Sequence, residues 1–564
     1  MANFLGSIFA QLQRADERVV LREIHGDTFI NITGRELLAQ VQRGRSYVRK
    51  FGLVPGDRCA LLGANSIQWV AVDLALMAEG IIVVPLYSRQ AAAELAGMMK
   101  DCSPSLLIVG DAELGAAIER EWPARPHRVL IEEVLRVAPA REPVTEAPNA
   151  RIDADLVTII YTSGTSGEPK GVCLNVGNVT HMLRCTGERL DQLMGATSDQ
   201  GDHSDQGEPD KVFHYLPFNF AGSWILLLSC LSRESVLTLS NDLNKLADEI
   251  RLSAPNYFLN VPTVLERVRR GVLDSISKRA SPIRLLFRKA QASWERQREG
   301  GGTRLGSLDA MWLALGRRLI FAKVKERFGG NLRALICGSA PLAVETQQFF
   351  MMLGIPVLQV YGLTETTAIC TMDDPRTPVE PGYVGPAISG IEMTLADNEE
   401  IVVRGPHIFP GYWNRPEETA RVMKNGWFHT GDQGEKNKSG NWRIIGRIKN
   451  LIILNSGHNV PPEPIEEKIA QRLAGAQQVV VVGNGRGYLC ALITGQATGA
   501  DAQRVIDAIN ADLPHYRQIR NFSILPGVFT AEDGLLTANG KLRRDAIDRR
   551  FSAEIATMYS GKSA

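Results

Sequence analysis

The sequence predicts an α/β protein in which a large N-terminal domain on largely parallel sheets is followed by a small α+β domain. Three observations carry this expectation. From the N-terminus to about residue 445, short β-branched runs alternate with amphipathic helical patterns, as buried strands joined by crossover helices do. The chain has 564 residues, past the size at which a single core keeps growing, so at least two domains are required. Near Arg447 the texture changes to a smaller region that runs to Ala564.

Taken in order, the opening "MANFLGSIFAQLQRADER" lacks a basic lead and breaks its apolar run too early for a signal peptide or a spanning helix. Strands follow at "RCALLGA", "GIIVVPLYS", "SLLIVGD", "LVTIIYTS", "SVLTLS", "LRALICGSAP" and "PVLQVYG". The longest apolar stretch, "IQWVAVDLALMAEGIIVVPLY", is interrupted by Asp73, Glu79, Gly80 and Pro85. It reads as a helix capped at Ser66 and then a buried strand from Ile81 to Val84, not as a membrane span.

Two stretches interrupt the alternation. Residues 191–210 have little to bury and read as an acidic mobile loop. Glu266 to Arg304 carries 11 Lys/Arg against 4 Asp/Glu around Leu285, Leu286, Phe287 and Trp294. That composition suits either a solvated helical insertion or peripheral contact with an anionic membrane surface. Beyond Arg447, "QQVVVVGNGRGYLCALITG" reads as a hairpin; no helix opens behind its glycines, which excludes a dinucleotide fingerprint.

Composition sets further limits. A net charge of +1 with 22% charged residues gives no global bias toward nucleic acid. The eight cysteines include no Cys-x-x-Cys pair and no neighbouring histidines of metal-site type. They suit reduced thiols in a cytoplasmic chain without a zinc site.

The chemistry begins at "YTSGTSGEPKGV", residues 161–172. The apolar run Leu156 to Ile160 delivers a strand into a loop whose glycines, Gly164, Gly167 and Gly171, let backbone N–H groups turn toward a polyanion. Thr162, Ser163, Thr165 and Ser166 add hydroxyls and Lys170 a full positive charge, so the loop is a phosphate cradle. The P-loop pattern fails, because Pro169 precedes Lys170 and Gly171 follows it.

This loop closely resembles the phosphate-binding signature of the adenylate-forming superfamily, which includes acyl-CoA synthetases, peptide-synthetase adenylation domains and luciferase. The further signatures of that superfamily stand in order: "GSAP" at 338–341, "YGLTETT" at 361–367, "GWFHTGD" at 426–432, "GRIKN" at 446–450, "NSGHNVPPEPIE" at 455–466 and "TANGKLRR" at 537–544. The resemblance covers nearly the whole chain. It implies an adenylate-forming N-terminal domain of several subdomains over residues 1–446 and a mobile C-terminal lid over 447–564, hinged near Lys449.

The resemblance also implies roles. Tyr361 and Gly362 would present a ring to adenine, with Gly338, Ser339 and Ala340 lying along the base. Thr364 would donate to the α-phosphate, and Glu365 would hold Mg²⁺, a hard cation suited to carboxylate and phosphate oxygens. Asp432 would accept the ribose hydroxyls beside Arg447. Lys541 would be the catalytic lysine, its ammonium offsetting charge that gathers when a carboxylate attacks the α-phosphate of ATP. After the lid turns, the loop carrying Gly457 would replace Lys541 and shape the channel for CoA. Phe220, Ala221, Gly222 and Gly338 would open the acyl pocket.

One departure stands out: many members carry a histidine where this chain has Phe220. His214 lies outside the matching position and receives no role. The "LLT…KLRR" ending, the "KNLIILNSGHNV" loop and the basic insertion look most like the long-chain fatty acyl-CoA synthetases. The implied activity is an AMP-forming fatty acid–CoA ligase using ATP, a fatty acid and CoA. Delivery of the acyl group to a carrier-protein thiol or another acceptor stays open, as does the acid's length and chemistry.

Overall fold

The computed structural model describes residues 3–136, 151–163, 169–195, 208–299, 306–530, 532–536 and 541–560. Two large sheets dominate. In the first, six parallel strands stand in the order Val357–Tyr361, Ala334–Cys337, Tyr257–Asn260, Asp210–His214, Ser235–Leu239 and Val19–His25. Antiparallel strands Thr371–Met372 and Thr28–Thr33 close its two edges. In the second, Leu156–Ser163, Ile82–Leu86, Arg58–Leu62, Leu106–Val109 and Arg128–Leu130 run parallel, and Pro169–Asn175 and Gly411–Tyr412 extend it antiparallel.

One apolar cluster draws side chains from both sheets. Two helices, Ile67–Ala78 and Ala221–Leu231, bury nearly all their residues in it. The first is capped as expected, the Ser66 hydroxyl accepting from Trp69 N at 3.0 Å. Where the helices meet, Trp224 Nε1 donates to Asp73 Oδ2 at 2.9 Å, far from water. Because the parallel strands end on a common side, their C-terminal loops gather there, where ligands enter folds of this class.

A third sheet departs from the largely parallel expectation. Glu392–Leu395, Glu400–Arg404, Trp427–Lys436, Met423–Lys424 and Trp442–Arg447 pair antiparallel throughout. Trp427–Lys436 alternates buried and half-buried residues along its length, the period-2 pattern of a sheet with one covered face.

Residues beyond Leu451 form a smaller unit. The strands Ala476–Val482 and Leu489–Gly495 make the expected hairpin, and Ile519–Leu525 adds parallel to the second. Helices Glu463–Arg472 and Gly499–Asn510 pack with this sheet around apolar clusters drawn from this region alone.

Of the two interrupting stretches, the first needs correction at its ends. Residues 191–195 close the helix Val176–Gly195 and Asp210 opens a strand. Arg233 binds both Asp191 and Asp210, which orders the two ends; residues 196–207 lie outside the described residues. The basic segment is two helices, Pro262–Ser277 and Ser281–Glu299. Phe287 is buried and Leu286 and Trp294 pack on the core, so of Leu285, Leu286, Phe287 and Trp294 only Leu285 is exposed.

Candidate functional site

A cavity of about 2380 Å³ opens where the loops of all three sheets meet the C-terminal unit. Its floor is the end of Val357–Tyr361 and the turn after it. A side chain at Gly362 would force the turn to shift: a Cβ would lie 2.1 Å from Ala368 O and 2.6 Å from Ile369 Cα. The turn is tied down by Leu363 N donating to Thr366 Oγ1 at 2.9 Å and Thr367 Oγ1 to His407 O at 2.7 Å. Thr364 and Glu365 line the cavity from this turn, and Tyr412 OH donates to Glu365 Oε1 at 2.8 Å.

Gly338, Ser339 and Ala340 line it from the adjacent strand end. A Cβ on Gly338 would meet Val360 Cγ2 at 2.5 Å, and Ser339 holds φ at 73°, a left-handed conformation uncommon for a residue with a side chain.

Strand register builds the next group. Asp432 and Arg447 are directly opposed across the third sheet, and Arg447 Nε meets Asp432 Oδ1 at 2.7 Å. Tyr361 OH donates to Asp432 Oδ2 at 2.8 Å. Each carboxylate oxygen has two lone pairs, so these bonds orient Asp432 while leaving it able to accept from a ligand. Burial raises the Asp432 pKa against the opposing pull of Arg447, the Tyr361 hydroxyl and Lys541. For Arg447, burial works against the charge, but Asp432, Tyr361, Glu365 and Glu463 together raise its pKa.

Lys541 lines the same cavity. Its side chain is accessible from the cavity, yet protein walls it on most sides, and that desolvation together with Arg447 lowers its pKa while Asp432 and Glu365 act in the opposite direction. Residues about 110 positions apart thus line one cavity.

Thr162 and Lys170 also line the cavity and face each other across the strand pair. The Lys170 ammonium pairs with Glu418 and lies 5.4 Å from the centroid of the Tyr412 ring. Ser163 ends its strand; Gly164, Thr165, Ser166 and Gly167 fall outside the described residues.

Beyond Phe220, Ala221 and Gly222, at the start of Ala221–Leu231, the cavity continues as an apolar arm. Ile250, Phe258, Leu265, Val268, Val272 and Phe328 line it. His214 takes no part: it is buried, its Nε2 lies 2.6 Å from Ser223 Oγ, and burial pushes its pKa down to about 4.

Lys449 follows Arg447 in the turn Ile448–Asn450 and lines the cavity. Gly457 does not. It sits at φ 81° in an exposed turn between Ile452–Ile453 and Asn459–Val460, with Gly457 N donating to Leu454 O at 2.8 Å. His458 beside it stacks on Tyr516 at 4.2 Å. The arrangement therefore brings Lys541 into the cavity and keeps the Gly457 turn out of it.

Several site residues escaped the sequence reading. Tyr412 and Glu418 contact Glu365 and Lys170, and Glu463 accepts from Asn450 Nδ2 at 2.6 Å on the cavity wall. The signal that could have found them is the dense "GYWNRPEET" at 411–419, which puts an aromatic hydroxyl just before a proline-opened helix with two acids in its first turn.

Residues 8–413 match the family described as AMP-binding enzyme, and residues 449–563 match the AMP-binding enzyme C-terminal domain. The chain is 27% identical to the long-chain-fatty-acid–CoA ligase FadD15 of Mycobacterium bovis, over 99% of this chain and 97% of that protein. It is 30% identical to the putative fatty-acid–CoA ligase fadD11 of Mycobacterium tuberculosis, over 72% of this chain and 74% of that one. Among solved structures, ATP-bound MatB from Rhodopseudomonas palustris superposes with a TM-score of 0.73 at 22% identity, covering 98% of this chain and 99% of that chain.

Proposed function

We propose that this chain, which belongs to the family of AMP-binding enzymes and has their fold, activates a long-chain fatty acid with ATP and passes the acyl group to CoA. One observation carries the reading: a single cavity joins the charged cluster of Lys170, Glu365, Asp432, Arg447 and Lys541 to a long apolar arm. A chain that only bound nucleotide would have no use for the arm, and pockets for compact acids need less depth. The identity of both mycobacterial relatives as fatty-acid–CoA ligases by name supports the same substrate class.

In this reading Tyr361 presents its ring to adenine, with Gly338, Ser339 and Ala340 along the base. Asp432, oriented by Arg447 and Tyr361, accepts the ribose hydroxyls. The 162–167 loop and Lys170 hold the outer phosphates, which requires Lys170 to exchange Glu418 for a phosphate oxygen. The fatty acid lies with its tail in the arm and its carboxylate past Phe220 and Gly222. A carboxylate oxygen bonds to the α-phosphorus and the bond to pyrophosphate breaks, giving acyl-AMP. Lys541 favours this step because its charge lies where negative charge gathers.

A Mg²⁺ fits the donor set. Glu365 presents a hard carboxylate to the cavity beside the cluster that would take the phosphates, and this ion is commonly held by one or two carboxylates plus substrate phosphates. Glu365 would hold it, with Thr364 beside it; when bound, the ion supplies charge neutralisation at the phosphates.

For the second half-reaction, residues 447–564 turn as a lid about Lys449. Lys541 leaves and the Gly457 turn enters, lining the way for the thiol of CoA, whose sulfur bonds to the acyl carbon as AMP departs. The test is product identification by mass spectrometry after incubating the chain with Mg-ATP, CoA and a long-chain acid. Acyl-CoA and AMP in equal amounts are expected. Acyl-AMP without thioester would overturn CoA as acceptor in favour of a carrier-protein thiol.

A further inference from the structure

Helix Ser307–Gly316 continues without interruption through the π turn Arg317–Phe321 into Ala322–Glu326. One face is core: Leu313, Gly316, Ile320 and Phe321 are buried. Gly316 lets this helix close on Ser281–Glu299, since a Cβ there would lie 2.4 Å from Ala290 Cβ. Phe287 and Phe321 meet edge-on at 6.2 Å, and Arg296 Nε donates to Asp309 Oδ2 at 3.0 Å. The two helices form a rigidly braced hairpin.

Its other face is apolar as well. Leu308, Met311, Leu315 and Leu319 recur at spacings of three, four and four, and are 69%, 44%, 38% and 49% exposed. At 100° per residue these positions fall within an arc of about 80°. Ile283 and Leu285, at the start of the partner helix, are 40% and 44% exposed. Solvent-facing stripes of this kind mark contact surfaces. Residues 278–327 also carry thirteen Lys/Arg against four Asp/Glu, a net +9 on a chain whose total is +1. Lys278, Arg279, Arg284, Arg288, Arg317, Arg318 and Lys323 are all exposed.

We infer that this hairpin docks on the surface of a lipid bilayer that carries anionic headgroups. An apolar stripe flanked by cations complements the acyl boundary and the headgroup charge together, whereas a protein partner would need no such one-signed charge excess. The position gives the contact a purpose, and this part rests on the fatty-acid reading above. Val324, which lines the cavity as Val268 and Val272 do, is five residues from Leu319 on the same helix. That is about 7.5 Å along its axis. A docked hairpin sets this wall of the cavity beside the lipid in which a long-chain acid partitions.

The test is sedimentation of the full chain with phosphatidylcholine vesicles, with and without phosphatidylglycerol. Binding to the anionic vesicles at low salt should exceed that to pure phosphatidylcholine by about tenfold or more and weaken as salt rises. Leu315→Gln with Leu319→Gln should cut it by about tenfold, and Arg317→Gln with Arg318→Gln should reduce the anionic preference severalfold while the other exposed cations retain part of it. Unchanged circular dichroism and thermal midpoint identify the loss as one of docking. Vesicle binding equal in wild type and both double variants, or none at low salt, overturns the inference. So does a concentration-dependent dimer that Leu315→Gln with Leu319→Gln dissolves, since the stripe then serves a second copy. The readout needs no turnover, so failure here leaves the fatty-acid reading standing, and a failed product assay leaves the vesicle result intact.

Discussion

Replacing Lys541 with alanine takes an ammonium out of the cavity where Arg447, Asp432 and Glu365 all act on it. Arg447 and Asp432 largely offset each other as an ion pair at 2.7 Å. In the proposed reaction the Lys541 charge is then what balances Glu365 and the phosphates of bound ATP. Removing one preorganised electrostatic group of this kind costs about 10²–10³ in rate, about 2.7–4 kcal/mol of transition-state stabilisation. Pyrophosphate release by the variant should fall by that factor. Thioester formation from supplied acyl-AMP and CoA should change by less than about threefold, because in the proposed cycle the lid turns and takes Lys541 away before that step. The pH dependence adds a signature. Burial and Arg447 lower the Lys541 pKa from its usual 10.5, and in the proposed reaction the protonated form is the active one. Wild-type adenylate formation should therefore decline as pH rises through a midpoint below 10.5, and that limb should be absent from Lys541→Ala. Unimpaired pyrophosphate release in the variant, or equal loss in both half-reactions, would refute the assignment.

Two further outcomes follow from the packing. Burial raises the Asp73 carboxyl to about 7, despite the Trp224 indole that hydrogen-bonds it. Between about pH 4 and 7 the native state thus holds a proton that the unfolded chain has released, so stability falls as pH rises through that window. Three pK units at about 1.36 kcal/mol each make as much as about 4 kcal/mol. Asp73→Asn, which keeps an acceptor for Trp224, should be more stable relative to wild type at pH 8 than at pH 5 in urea titrations; a constant difference would show that Asp73 is ionised in the fold. Gly362→Ala would press a Cβ to 2.1 Å from Ala368 O. Overpacking of about 1–3 kcal/mol and displacement of Tyr361 should lower the thermal midpoint and cut adenylate formation by about tenfold or more, whereas wild-type rates would show that the turn has room to shift.

Much of the fold was legible because burial and period agree. The parallel strands are continuous β-branched runs, and the Ser66 cap sits where the apolar helix begins. The antiparallel third sheet was not legible, and its strand Trp427–Lys436 shows why. The buried face of that strand is Phe428, Thr430, Asp432 and Gly434, so its period-2 alternation carries no hydrophobic signal. Motif order brought Asp432, Arg447 and Lys541 together on paper, and strand register brings the first two together in space. Tyr412 at Glu365 and Glu418 at Lys170 depend on approaches across 47 and 248 residues that no local pattern encodes. The basic segment is readable as helical from its composition, but not which of its apolar residues face outward: Leu286, Phe287 and Trp294 pack on the core, and the exposed stripe is one helix further on. The close approach that decides this, Gly316 on Ala290, is a tertiary fact.

The central claim is that nucleotide chemistry and a long acyl tail share one cavity. The chain-length profile of pyrophosphate release, in wild type and in Val272→Trp, tests it most directly, since Val272 is one of the apolar residues lining the arm. The account predicts that wild type prefers long-chain acids, and that the indole shortens the preferred acid by several carbons while rates with short acids stay unchanged. A wild-type optimum at short or aromatic acids, or an identical profile in Val272→Trp, would contradict it.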